Sequence, residues 1–226
     1  MNGYNQHHIN SIDELRLALT LDNASSETII VDTFDAIAHF LIEKCAIKKG
    51  NNYYLFTDIE FYFYNQNHKD IITHPRNSEA LQWFINDFGG IDINFKSHVK
   101  YESCTHIHKK AKPELSTENY FGGILIRALK NEVTGQELVG PWACAELFRI
   151  HDAVFEDKDF PLIVEYESGF KVKPPQKRLK LKRKNRSAEY KVKYILSGYS
   201  NGSAQDISGY LSAFTQYEEK EYRYTI

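Results

Sequence analysis

Residues 53–64 read Tyr-Tyr-Leu-Phe-Thr-Asp-Ile-Glu-Phe-Tyr-Phe-Tyr, and this stretch decides the fold. It is dense in aromatic and β-branched residues, follows the turn-forming pair Asn51-Asn52, and predicts a long strand. Upstream, Ser11-Ile12-Asp13-Glu14 predicts an N-cap with its glutamate at the third helical position, opening a helix to about Leu21. Phe34, Ile37, Ala38, Leu41 and Ile42 recur at helical spacing and predict a second helix over about 33–44. Downstream, Gly89-Gly90 precedes a strand over 91–95, and Gly122-Gly123 precedes another over 124–129. A helix or strand runs through Trp83 and Phe84. Gly140-Pro141 starts a helix over 142–150, since proline suits a first helical position. Strands near 162–166 and 190–196 and a short helix near 206–216 complete the reading. Residues 1–10 are expected to be loose, and 96–119 to be an irregular polar excursion. The expectation is one α+β domain over 1–226, with a central mixed or antiparallel sheet flanked by helices.

Composition is consistent with this. A chain of 226 residues with 42% hydrophobic residues can bury one substantial core. Three cysteines without CxxC spacing make neither a disulfide framework nor a zinc knuckle, which suits a reducing compartment. His106-x-His108 could present two metal ligands on a strand, but no third is marked, and no metal is expected. The start lacks a basic region followed by an apolar run, and no stretch reaches the roughly 18 apolar residues of a span. A cytoplasmic, nucleoid-associated or nuclear location and no membrane partner are therefore expected.

The net charge of −2 hides an asymmetry. Residues 171–193 hold eleven Lys and Arg against one Glu, leaving 17 basic and 29 acidic residues elsewhere. Such a stripe suits a phosphate backbone, duplex or single-stranded, with Lys177, Arg178, Lys180, Lys182, Arg183, Lys184 and Arg186 as candidate DNA contacts. A solvated linker or a localisation signal would look the same in sequence.

Glu60 stands out among Leu55, Phe56, Ile59, Phe61, Tyr62 and Phe63. Either Asp58, Glu60 and Tyr62 alternate onto a solvent face, or the carboxylate is buried with a purpose such as activating water. The pieces Asp58-Ile59-Glu60-Phe61-Tyr62, His68, Thr73-His74-Pro75-Arg76-Asn77, Arg127-Ala128-Leu129 after an apolar run, and Gly140-Pro141 stand in one order. In order and spacing they resemble the 3-methyladenine (alkyladenine) DNA glycosylases over about residues 31–150. That family carries E-T-E-A-Y, a histidine, T-P-R-N, R-A-L-E-P and G-P.

The resemblance implies base flipping and monofunctional hydrolysis of an N-glycosidic bond, in repair or in defence, without a cofactor. Glu60 would orient and deprotonate water, and Arg127 would hold that acid. Tyr62 and His68 would sandwich the flipped base, with His74 a rival for the histidine. Asp58 would be structural. The family's tyrosine-rich strand and its wedge are missing, and Trp83 or Phe84 would do the stacking. Its following asparagine would be Asp92 or Asn94. The other readings are a catalytically inactive binder of modified bases on the same scaffold, and an interaction protein whose basic run only aids localisation.

Overall fold

The computed structural model describes residues 8–85, 89–103, 111–148, 160–179 and 186–226. The architecture is α+β, built on a curled antiparallel sheet. Its spine is β2 (Asn52–Asn65), which pairs along ten positions with β6 (Phe121–Asn131). Beyond β6 lie β5 (Ile91–Asn94) and then β4 (Trp83–Ile85). On the other side of β2 lie β1 (Cys45–Lys49) and β8 (Leu162–Glu165). Three short strands attach to this path: β3 (His68–Lys69) and β9 (Arg223–Thr225) on β2, and β7 (Glu137–Val139) on β6.

One sheet face is apolar. Ile59, Phe61 and Phe63 of β2, Ile124 and Ile126 of β6, and Ile93 of β5 are fully buried there. They share a core with α1 (Ile12–Ala18) and α2 (Glu27–Lys44), where Phe34 stacks on Phe61 at 4.7 Å. The Ser11 cap forms as expected, its hydroxyl accepting from the Glu14 N–H at 3.2 Å. Helix α2 opens six residues before the expected start, because Ser26 accepts from the Ile29 N–H and caps it there. The helix ends at Lys44 as expected, and Cys45–Lys49, for which no strand is expected, pairs between β2 and β8.

The segment near 190–196 corrects an expectation. The sequence reading places a strand there. It is helix α4 (Ala188–Leu196), capped by the Ser187 hydroxyl on the Tyr190 N–H. Ala188, Val192, Ile195 and Leu196 share one helical face, which packs on a second core with Tyr64, Phe121 and Phe214. Helix α5 (Ile207–Glu218) follows, capped by Asp206. The expected helix after Gly140-Pro141 is α3 (Pro141–Ala145), continued by one 3₁₀ turn to Phe148. Among the described residues no helix is long and apolar enough to cross a membrane.

Candidate functional site

Around Glu60 the second face of the sheet is polar, and register explains why its charges meet. Phe84 pairs with Asp92, Asp92 with Leu125, Leu125 with Glu60, and Glu60 with Arg223. Paired residues share a face, so these five side chains form a row across five strands. Two positions along, Asn94, Gly123 and Tyr62 form the next row. The Glu60 and Asp92 backbones are thus two strand spacings, about 10 Å, apart, with half-buried Leu125 between them.

Glu60 is wholly buried on this face, so the solvent-face alternation is set aside. Its Oε2 accepts from the Tyr62 hydroxyl at 2.8 Å and from Arg127 Nη1 at 3.2 Å. Its Oε1 accepts from the Leu179 backbone N–H at 2.6 Å. Arg127 sits one diagonal step from Glu60 on β6, which is why the ion pair closes. Burial, and then the Glu60 charge, push the Tyr62 phenol well above its usual range, so it serves as a neutral donor.

Three further carboxylate–guanidinium pairs accompany this one. Asp58 holds Arg223 at 2.8 Å, Asp92 holds Arg76 at 2.7 Å, and Asp70 holds Arg178 at 2.6 Å. Arg76 Nη1 also donates to Asn94 at 3.0 Å, and its guanidinium lies 4.1 Å from the Phe84 ring centre. Gly123 makes this possible: a Cβ there would come within 3.0 Å of Arg76 Nη1 and 3.1 Å of the Asp92 Cβ. Sequence reasoning quoted Arg76 and Asp92 but did not pair them. The legible signal was Ile-Asp-Ile-Asn, an acid inside an apolar strand facing an arginine after Pro75.

Two expected site residues are placed elsewhere. His68 does not face Tyr62 across a base-sized gap. Tyr222 stacks on His68 at 5.6 Å, and the Arg178 guanidinium lies 5.6 Å from Tyr222 and 4.4 Å from Tyr62, so both stand between. His68 is a core histidine: Nδ1–H donates to the Phe63 carbonyl at 2.7 Å, so Nε2 accepts from the Tyr222 hydroxyl at 3.0 Å. Burial lowers its pKa, against the opposing pull of Asp70. His74, its rival, is half-buried, and its carbonyl accepts from Arg76 Nε at 3.1 Å.

Arg178, expected to face phosphate, is turned inward. It grips Asp70 with both Nη atoms and donates to the Phe61 and Tyr217 carbonyls. Burial works against its charge, but Asp70, Tyr62 and Glu60 together outweigh this and raise its pKa. Turning Arg178 out to a phosphate would strand the buried Asp70 charge, which holds the guanidinium inside.

The rest divides as follows. Phe84 lies in the Glu60 row, half-buried, whereas Trp83 faces the other way and spends its Nε1–H on the Pro161 carbonyl at 2.9 Å. Of the two stacking candidates, only Phe84 shares the face of Glu60. Lys177 is exposed and pairs with Glu219 at 2.6 Å, and Arg186 is exposed beside Tyr190. Lys180, Lys182, Arg183 and Lys184 lie outside the described residues, as do Cys104, His106 and His108. Among the described residues no three His, Cys, Asp or Glu side chains converge as metal ligands. An open hollow of about 370 Å³ lies away from this site, by Tyr54, six residues up β2, and Leu147.

No family model matches the chain, and no solved structure matches it. It is similar to an uncharacterized protein, L759, of Acanthamoeba polyphaga mimivirus, with 26% identity over 122 residues. The match covers 49% of this chain and 53% of that protein, so the chain spans about half the length of the relative.

Proposed function

We propose that the protein is a monofunctional DNA glycosylase of the 3-methyladenine type, with Glu60 directing water onto the sugar of a flipped, modified base. The observation that carries this reading is the setting of Glu60. An ionised carboxylate has about four acceptor positions, and Tyr62, Arg127 and Leu179 take three. The remaining one can hold a water. A buried anion with fixed donors is suited to positive charge developing at a sugar, since its dipoles need no reorganisation. Leu125 gives an apolar floor, and Tyr62 and Phe84 give rings within reach of a base lying over it. Each ring already carries a guanidinium, Arg178 at 4.4 Å and Arg76 at 4.1 Å.

Flipping costs a few kcal/mol of stacking, and phosphate contacts by Lys177, Arg186 and the run Lys180, Lys182, Arg183 and Lys184 would offset part of it. Tyr62, Arg127 and Leu179 hold Glu60, none of them a lysine, and no lyase step is proposed.

One observation favours a second reading. The Leu179 N–H closes over Oε1 and leaves Glu60 with no exposure. A locked carboxylate of this kind suits a catalytically silent reader of modified bases. The two readings separate in one experiment. Wild type and Glu60→Gln are incubated with alkylated and hypermodified DNA, and the DNA is treated with mild alkali. Strand breaks from wild type alone are expected. Absence of breaks with either protein, with binding retained, refutes the enzyme and leaves the reader.

A further inference from the structure

Helix α4 has two faces of opposite character. Inward, Ala188, Val192, Ile195 and Leu196 pack on Tyr64, Phe121 and Phe214. Lys191 belongs to this side, its amine 2.8 Å from Glu218 and 5.6 Å from the Phe214 ring centre. Outward, Tyr190 and Tyr194 stand 45% and 50% exposed. They are four residues apart, so their rings lie on one face about 6 Å apart along the helix. The Arg186 guanidinium lies 5.0 Å from the Tyr190 ring centre, and exposed Lys193 sits between the two tyrosines in sequence.

Single exposed rings are ordinary on a protein surface. Two at one helical turn, bracketed by cations at the outward face of an amphipathic helix, match the stacking ladder used for unpaired bases. Charge complementarity points the same way. Among the described residues of 171–193 the cations held inside the protein are Arg178 and Lys191, whereas the exposed ion pairs Lys171–Glu43, Lys177–Glu219 and Lys193–Glu189 contribute little and yield to a phosphate. Duplex bases keep their faces stacked on one another, so only an unpaired strand can use both rings.

We propose that Arg186, Tyr190, Lys193 and Tyr194 form a stacking platform for single-stranded DNA. The platform lies over the Glu60 side of the sheet: Tyr64, on which α4 packs, is four residues from Glu60, about 13 Å along β2. The choice of DNA over RNA rests on the glycosylase reading of Glu60. The platform itself uses no part of that site.

The test is fluorescence anisotropy of the full chain with labelled oligo-dT of about 15 nucleotides, a length within a single-strand site size. Oligo-rU and a duplex of equal length run beside it. Tyr190→Ala and Tyr194→Ala should each weaken oligo-dT binding about tenfold, about 1.4 kcal/mol, and Tyr190→Phe and Tyr194→Phe should restore it. Arg186→Ala should lower the salt slope by about 0.7, and the tyrosine variants should leave it unchanged. Melting curves of the phenylalanine variants should match wild type, since each keeps its ring. Alanine variants that bind as wild type does, or no binding of oligo-dT by wild type, overturn the platform. Equal or tighter binding of oligo-rU or duplex overturns the choice of single-stranded DNA. Absence of base release with oligo-dT binding retained refutes only the Glu60 chemistry.

Discussion

Replacing Arg178 with methionine separates a core arginine from a DNA-facing one. The substitution keeps much of the apolar stem and removes the cation. Asp70, fully buried, then loses its 2.6 Å partner, and the Phe61 and Tyr217 carbonyls lose a donor. Breaking a buried pair from one side costs about 3–5 kcal/mol, mostly the penalty of the stranded charge. A chain of 226 residues unfolds with about 2.1 cal/mol/K per residue, so each kcal/mol moves Tm by about 2 °C. Arg178→Met should therefore lower Tm by about 6–10 °C, read by thermal circular dichroism. Asp70→Asn combined with Arg178→Met should be less damaging than Arg178→Met alone, because no charge is left stranded. A Tm within about 2 °C of wild type, with a loss of DNA affinity and a shallower salt slope, would refute the inward assignment.

Two other perturbations test the polar face and the core behind it. Gly123→Ala places a methyl 3.0 Å from Arg76 Nη1 and 3.3 Å from Asp92 Oδ2; a loss of about 1–3 kcal/mol in urea unfolding is expected, and an unchanged midpoint would contradict the packing. Burial depresses the folded pKa of His68 below its ordinary value of 6.5. Above that value both states are neutral there; as pH falls below it, the unfolded chain takes a proton that the folded chain refuses, and stability is lost. The stability advantage of wild type over His68→Gln should shrink from about pH 7.5 to about pH 5.5, and a constant difference would show that His68 titrates normally.

Much of the frame was legible in the chain. The aromatic density of 53–64, the Ser11 cap and the spacing of Phe34, Ile37 and Leu41 each carry a local physical signal, and each element formed where that signal lies. The strand at 45–49 carried no local signal, and pairing with β2 and β8 makes it. The strand expected near 190–196 is a helix, because its apolar residues also fall at helical intervals and the core beneath α4 selects that form.

The sequence by itself determined that Glu60 is anomalous, that Arg127 is a cation ending an apolar run, and that the basic charge is concentrated in one stretch. Those are properties of residue type and neighbourhood, readable without coordinates. Only the tertiary structure decided what each charge meets. The register of β2 with β6 brings Arg127 to Glu60 across 67 residues, and the return of the chain brings Arg178 to Asp70 across 108. Partner choice over such separations depends on strand register and on which side of β2 each side chain leaves. A one-residue slip would send Glu60 into the apolar core beside Phe34, and no local pattern in the chain encodes that choice.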